Sequence, residues 1–266
     1  LIELNPKSKV LILGHTQEIV QQNEDKLLQV WPEADVGVFC SGLNRKEVKQ
    51  ITSASRDSMV NDISYHPEWD VVIIDEAHLI SPLMVTRYQK ILQSIKLFSK
   101  QVKVIGFTAT PFRTQTGEIY GNGAGSLFKK LLYRRRIDEL INTGHLCPVR
   151  AIVTDKVAIA DTSEVRVNKN DFIQTDLDEV TVIDSLVESI VQDWLNKTSA
   201  KVPTVFFACS VAQGRMFEHY LTELGFDYPL ITAKTAKLDR QSYLAQFNSG
   251  ELNGLVTVAT LTTGWD

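Results

Sequence analysis

Asp75 and Glu76 stand side by side after four apolar residues, Val71-Val72-Ile73-Ile74, and are followed by Ala77-His78. An uninterrupted apolar run of this length marks a strand buried on both faces. Two carboxylates at its end suit hydrolysis of a nucleoside triphosphate. One acid would hold Mg²⁺ through its water shell, and the other would orient and deprotonate the attacking water. Side chains alternate along an extended chain, so Asp75 is expected to face the metal and Glu76 the water. An Asp-Glu pair alone is more often a helix N-terminus, where acids meet the positive end of the dipole. The apolar run before the pair and Ala-His after it favour the catalytic reading.

A second apolar run, Val102 to Phe107, ends in Thr108-Ala109-Thr110-Pro111-Phe112-Arg113. Threonines in such a place usually reflect β-propensity and turn chemistry. They can work with the acids only if rigid elements bring both strand ends together. The patterning predicts such elements. Val10 to Leu13, Val36 to Phe39, Ile51-Thr52 and Val71 to Ile74 read as strands. Ile19, Val20, Leu27 and Leu28 mark a helix after Gly14-His15, and a further helix is expected from about Pro82 to Lys100. Thr114 to Gly125 reads as a loop, Leu127 to Ile141 as a helix, and Ala151 to Val180 as an irregular crossing. The alternation then restarts, with helices over Val182 to Leu195, Ala212 to Leu224 and Leu238 to Phe247. Strands are expected at Thr204 to Ala208, Pro229 to Thr232 and Leu255 to Ala259.

Short apolar strands alternating with helices predict an α/β chain of two domains, 1–145 and 146–266, each with a mostly parallel sheet. In such sheets the working residues collect at the carboxyl ends of the strands, where His15, Asp75 and Thr108 all fall. The length of 266 residues also favours two domains.

With a net charge of −4 and an isoelectric point near 5.8, nucleic acid would have to be held by a local groove rather than by bulk attraction. The basic stretch Lys129-Lys130 and Arg134-Arg135-Arg136 reads as a solvated face. Cys40, Cys147 and Cys209 lack metal-binding spacing and read as buried, unreactive thiols in a reduced cytoplasmic compartment. No apolar run is long enough for a membrane span.

Asp75-Glu76-Ala77-His78 followed by Thr108-Ala109-Thr110-Pro111 resembles motifs II and III of superfamily 2 helicases, a DEAH-box pattern. The rest of the chain resembles that family in order. Val10 to Glu18 is similar to motif Ia, Ser41 to Arg45 and Ser53 to Ser58 to the Ib and Ic elements, Val205 to Ser210 to motif IV, and Thr257 to Asp266 to motif V. Ile137 to Leu146 is similar to the stretch that joins the two motor domains. Gly42 to Glu47, Thr108 to Arg113 and Leu261 to Gly264 resemble bacterial RadD-type DNA-repair helicases.

The resemblance implies two RecA-like domains with ATP and Mg²⁺ bound between them. It implies Asp75 on magnesium (water-mediated), Glu76 as the base, and Gly264 and Asp266 near the ribose. His78 would couple the nucleotide site to Thr108 or Thr110. DNA, single-stranded or forked, is the expected partner, with RNA as an alternative, running over His15, Thr16, Ser55, Arg56 and Thr260. A DNA-repair translocase is the first expectation; a restriction-system motor, an RNA helicase and a non-hydrolysing nucleic-acid-binding module are the alternatives.

Two departures bear on this. No Gly-x-x-x-x-Gly-Lys-[Ser/Thr] loop occurs; Gly121-x-Gly123-x-Gly125 lacks the lysine and reads as a surface loop. Motif VI with its arginine finger is also absent. The expectation is therefore a piece of a longer polypeptide, with the first domain truncated at its N-terminus and the second at its C-terminus, and inactive alone. Motif Ia, moreover, has neither Arg nor Lys near Thr16, so phosphate contact would fall to hydroxyl, amide and backbone N–H groups.

Overall fold

A computed structural model describes residues 5–62, 68–80, 86–113, 117–123, 126–152, 160–168, 171–198 and 202–260. The chain divides into two compact units, Leu1–Cys147 and Pro148–Asp266.

The first unit contains β1 (Val10–Gly14), α1 (Gln17–Val30), β2 (Val36–Cys40), β3 (Arg45–Lys46), β4 (Ile51–Ser55), α2 (Arg56–Asn61), β5 (Val71–Ile74), α3 (Arg87–Phe98) and β6 (Lys103–Gly106). A small hairpin, β7 (Phe112–Arg113) with β8 (Gly117–Glu118), and α4 (Ile137–Asn142) complete it. The main sheet has the order β3-β2-β4-β1-β5-β6, parallel throughout except for β3.

The apolar runs have their length because both faces of this sheet are covered. Leu11, Leu13, Val72 and Ile74 point into one core with Tyr88, Ile91, Leu92 and Ile95 of α3. Their neighbours Val10, Ile12, Val71 and Ile73 point the other way, into a core that includes Leu27 and Leu28 of α1. Strict alternation along each strand thus distributes one continuous apolar run between two layers.

Several expected boundaries shift. The helix expected from about Pro82 begins at Arg87, because Thr86 is its N-cap. The Thr86 hydroxyl accepts from the Gln89 N–H at 3.3 Å, and the Gln89 side chain accepts from the Thr86 N–H at 2.8 Å, a reciprocal capping box. Residues 81–85 lie outside the described residues. Leu127 to Ile141 is not one helix; only Ile137–Asn142 is helical. Phe128 instead donates its N–H to Ile119 O and accepts from the Gly121 N–H, and its side chain packs against the first core. The stretch expected as a Gly-rich loop therefore carries a hairpin and a bridge to Phe128. The basic residues from Lys129 to Arg136 are exposed. Cys40 is buried, but Cys147 and Cys209 are exposed, which corrects the expectation of three buried thiols.

The described residues of the second unit contain an antiparallel pair, β9 (Val167–Asn168) and β10 (Asp171–Phe172), then α5 (Gln174–Thr181) and α6 (Asp184–Lys197). The region expected to be irregular thus contains a helix, separate from the next. After it come β11 (Thr204–Phe207), α7 (Val211–Glu223), β12 (Leu230–Ile231), α8 (Lys237–Ser249) and β13 (Gly254–Thr257). The sheet order is β11-β13-β12, all parallel.

Aromatic packing dominates this core. Trp194 meets Phe206, Phe226 and Tyr228 edge-on, with centroids 5.3–5.9 Å apart. The Tyr228 ring lies on Gly254, where any Cβ would come within 2.3 Å of it. Both units are mixed α/β with mostly parallel sheets, as the patterning predicts. Among the described residues no helix is long and apolar enough to cross a membrane.

Candidate active site

The two acids follow β5 in a backbone held from both sides. The Asp75 N–H donates to Leu13 O at 3.1 Å, the Phe107 N–H to Ile74 O at 2.9 Å, and the Ala77 N–H to Phe107 O at 2.9 Å. Asp75 Oδ1 accepts from the Glu76 N–H at 2.9 Å. Extended alternation does not carry through the pair. Glu76 lies in the left-handed region, φ 49° and ψ 49°, and caps a 3₁₀ turn over Ala77–Leu79. A non-glycine residue held there costs about 1–3 kcal/mol, a strain found at sites where side-chain direction matters. The left-handed residue, rather than the strand pleat, sets the direction of Glu76.

His78 joins the two strand ends. Its Nδ1 lies 2.9 Å from Thr108 Oγ1 and 3.1 Å from Glu76 Oε2. The Thr108 hydroxyl donates to Thr110 O at 3.3 Å and accepts from the Thr110 N–H at 3.1 Å. With the hydroxyl proton used in that way, the consistent tautomer carries its proton on Nδ1 and shares it between Thr108 and Glu76. Glu76, His78, Thr108 and Thr110 thus form one hydrogen-bonded chain.

Gly106 makes the approach possible. A Cβ there would lie 2.7 Å from the Ala77 Cβ and 2.5 Å from the Phe128 ring. Ala77 is fully buried and cannot swing aside. Gly106→Ala is expected to cost about 1–3 kcal/mol of stability through overpacking. Urea unfolding measures this; an unchanged midpoint would mean the Ala77 turn is free to move.

His15 follows β1, whose neighbours are β4, ending in Ser55, and β5, preceding Asp75. Burial lowers the His15 pKa below 6.5, with Arg56 and His78 acting in the same direction and Glu76 and Asp75 opposing. The folded chain therefore binds this proton less well than the unfolded chain, and stability rises with pH across the transition. The chain should lose stability as pH falls through 6.5, and His15→Asn should make that loss shallower in urea titrations at a series of pH values. An identical pH dependence in the variant would remove His15 as its source.

The other residues expected on nucleic acid are placed unequally. Thr16 is the N-cap of α1, its hydroxyl accepting from the Ile19 N–H at 3.3 Å. Ser55 is buried; its hydroxyl donates to Ser58 Oγ at 2.7 Å and accepts from the Ser58 N–H, so it is held inside the chain. Arg56 opens α2, its Nε 2.8 Å from Asp57 and its guanidinium over the Tyr88 ring. In the second unit Thr260 follows β13 and shares a 2.7 Å hydrogen bond with the Thr257 hydroxyl. Its carbonyl accepts from Arg240 at 2.9 Å. Gly264 and Asp266 lie outside the described residues.

Residue types and spacing give no site role to Tyr88 or Arg87; Tyr88 meets Arg56 directly, and Arg87 reaches it through Asp57. The donor set of the acid pair is hard oxygen, which suits Mg²⁺ held largely through its own waters by one carboxylate. Asp75 fits that role.

Residues 1–113 match the family described as type III restriction enzyme, res subunit. Over 97% of its length the chain is 25% identical to "Putative ATP-dependent helicase IRC3" of Saccharomyces cerevisiae, of which it spans 37%. It is 24% identical, again over 97% of its length, to a 51.5 kDa protein of a Lactococcus phage, of which it spans 50%. The fold is similar to S. cerevisiae Dbp5 bound to RNA and ADP BeF3, with TM-score 0.53 at 11% identity over 97% of this chain and 59% of that one. A variant of Dbp5 in the same complex gives 0.54 at 11% identity, over 99% of this chain and 61% of that one. The likeness to Dbp5 supports a RecA-like α/β fold.

Proposed function

We propose that this chain is part of the motor of an ATP-dependent superfamily 2 DNA helicase or translocase, of the RadD-type repair class. The observation that carries the reading is the chain from Glu76 through His78 to Thr108 and Thr110, which ties a hydrolytic acid to the end of a neighbouring strand. Glu76 takes a proton from water as the water oxygen attacks the γ-phosphorus. The bond to the β–γ bridging oxygen breaks, and ADP leaves with that oxygen. Asp75 would hold Mg²⁺ through its water shell, and the ion would supply charge neutralisation at the phosphates. Gly264 and Asp266 would contact the nucleotide. His15, Thr16, Arg56 and Thr260 would meet the nucleic-acid backbone, Ser55 acting from beneath through the α2 cap. His78 transmits between the two sites, and domain movement coupled to hydrolysis would advance the strand.

The match of residues 1–113 to the type III restriction subunit favours a second reading, the motor of a restriction system. The test is ATP turnover by a longer chain that includes a phosphate loop, with single-stranded DNA, forked DNA and RNA as separate additions. The expected result is stimulation by single-stranded or forked DNA. Stimulation by RNA alone would sink the DNA assignment, and dependence on duplex DNA carrying a particular sequence would favour the restriction motor.

A further inference from the structure

Tyr88 is 1% exposed, deep in the first core, yet it touches the surface chemistry through one neighbour. The Arg56 guanidinium carbon stands 5.6 Å from its ring centroid, within cation–π range. Two further contacts fix that arrangement. Arg56 Nε donates to Asp57 Oδ1 at 2.8 Å, and Arg87 Nη1 reaches the same oxygen at 2.6 Å. The start of α3 therefore holds the start of α2 from two sides, by the Tyr88 face and the Arg87 charge. The Tyr88 hydroxyl is buried without a hydrogen-bond partner among the described residues, so the ring face, not the hydroxyl, is what Arg56 meets.

An arginine at the first turn of a helix can adopt many rotamers, and fixing it beforehand removes an ordering cost from phosphate binding. We propose that Tyr88 is a positioning residue for nucleic-acid binding, its ring face holding Arg56 in the orientation that meets a phosphate. This rests on the reading of Arg56 as a backbone contact. Tyr88 touches no nucleic acid itself. It differs from an ordinary core tyrosine in that the property required is an aromatic face, which phenylalanine keeps and leucine lacks.

The experiment measures affinity of the chain for a fluorescent single-stranded DNA oligonucleotide over a low-salt series. Arg56→Ala, Tyr88→Phe, Tyr88→Leu and the double variant Arg56→Ala/Tyr88→Leu are compared. Tyr88→Phe should bind within about twofold of the parent, whereas Tyr88→Leu should bind about two- to fivefold more weakly, the range a cation–π contact supplies. Its log–log salt slope should fall toward that of Arg56→Ala, by up to about 0.7 for one phosphate contact on a single strand. In the Arg56→Ala background the leucine substitution should have no further effect. A merely structural tyrosine predicts instead that the loss persists in that background, and this result would overturn the proposal. Equal weakening by Phe and Leu would overturn it too.

A second measurement needs no DNA. The Arg56 Nε–H resonance should carry a ring-current shift that Tyr88→Phe preserves and Tyr88→Leu removes; a resonance unmoved by leucine would overturn the positioning role. Parent binding that is unaffected by Arg56→Ala, with the ring-current shift intact, would instead strike down the backbone-contact reading of Arg56.

Discussion

Glu76→Gln, introduced into a chain long enough to include a phosphate loop, is expected to abolish ATP hydrolysis while leaving ATP binding within a few-fold. The amide has the shape of the acid and can still accept from His78, but it cannot take a proton from water. General-base removal costs typically about 10²–10⁴ in rate. The left-handed backbone at Glu76 sharpens the expectation. It aims the side chain back toward His78 instead of along the strand. Single-turnover hydrolysis with a fluorescent nucleotide separates binding from chemistry. Turnover within about tenfold of the parent would remove Glu76 as the base.

Much of the first unit is legible in the sequence because its sheet is buried on both faces. Val71 to Ile74 and Val10 to Leu13 read as strands since two core layers, not one, require apolar residues there. Boundaries governed by side-chain chemistry are harder. Thr86 begins α3 through a reciprocal bond with Gln89, whereas apolar spacing alone suggested an earlier start. Leu127 to Ile141 has helical composition, but packing of the partly buried Phe128 against the first core and its backbone pairing with Ile119 and Gly121 override it. A tertiary contact of that kind leaves no local trace.

The candidate site divides in the same way. Residue types and spacing single out Asp75, Glu76, His78, Thr108 and Thr110 as candidates, and parallel strands bring the ends that carry them together. The direction of Glu76 is not found, because alternation along a strand predicts an extended residue where the chain turns left-handed. Ser55 shows the opposite failure. A serine after a buried strand could face a phosphate or cap a helix, and only the structure shows its hydroxyl bonded to Ser58 beneath the surface. Gly106 belongs to neither case. As a glycine in a strand it signals close approach, but what approaches, Ala77 and Phe128, comes from distant parts of the chain.

Coupling through His78 gives the second large effect. His78→Ala and Thr108→Val, in the same longer chain, are each expected to lower nucleic-acid-stimulated turnover by about five- to thirtyfold. That range corresponds to about 1–2 kcal/mol for a hydrogen bond whose network includes a charged group. The two losses should not add. His78 Nδ1 is the atom that reaches both Thr108 Oγ1 at 2.9 Å and Glu76 Oε2 at 3.1 Å, so removing either end breaks the same connection. The double variant should therefore resemble the worse single variant, with an interaction energy of about 1 kcal/mol or more in a double-mutant cycle. Glu76→Gln behaves differently, since it removes the chemistry whether or not nucleic acid is present. The decisive comparison is the ratio of stimulated to unstimulated rate. A fall in that ratio for His78→Ala and Thr108→Val places the histidine between the sites. Additive losses, or a ratio equal to the parent's, would reduce His78 to a residue that merely shapes the turn after Glu76.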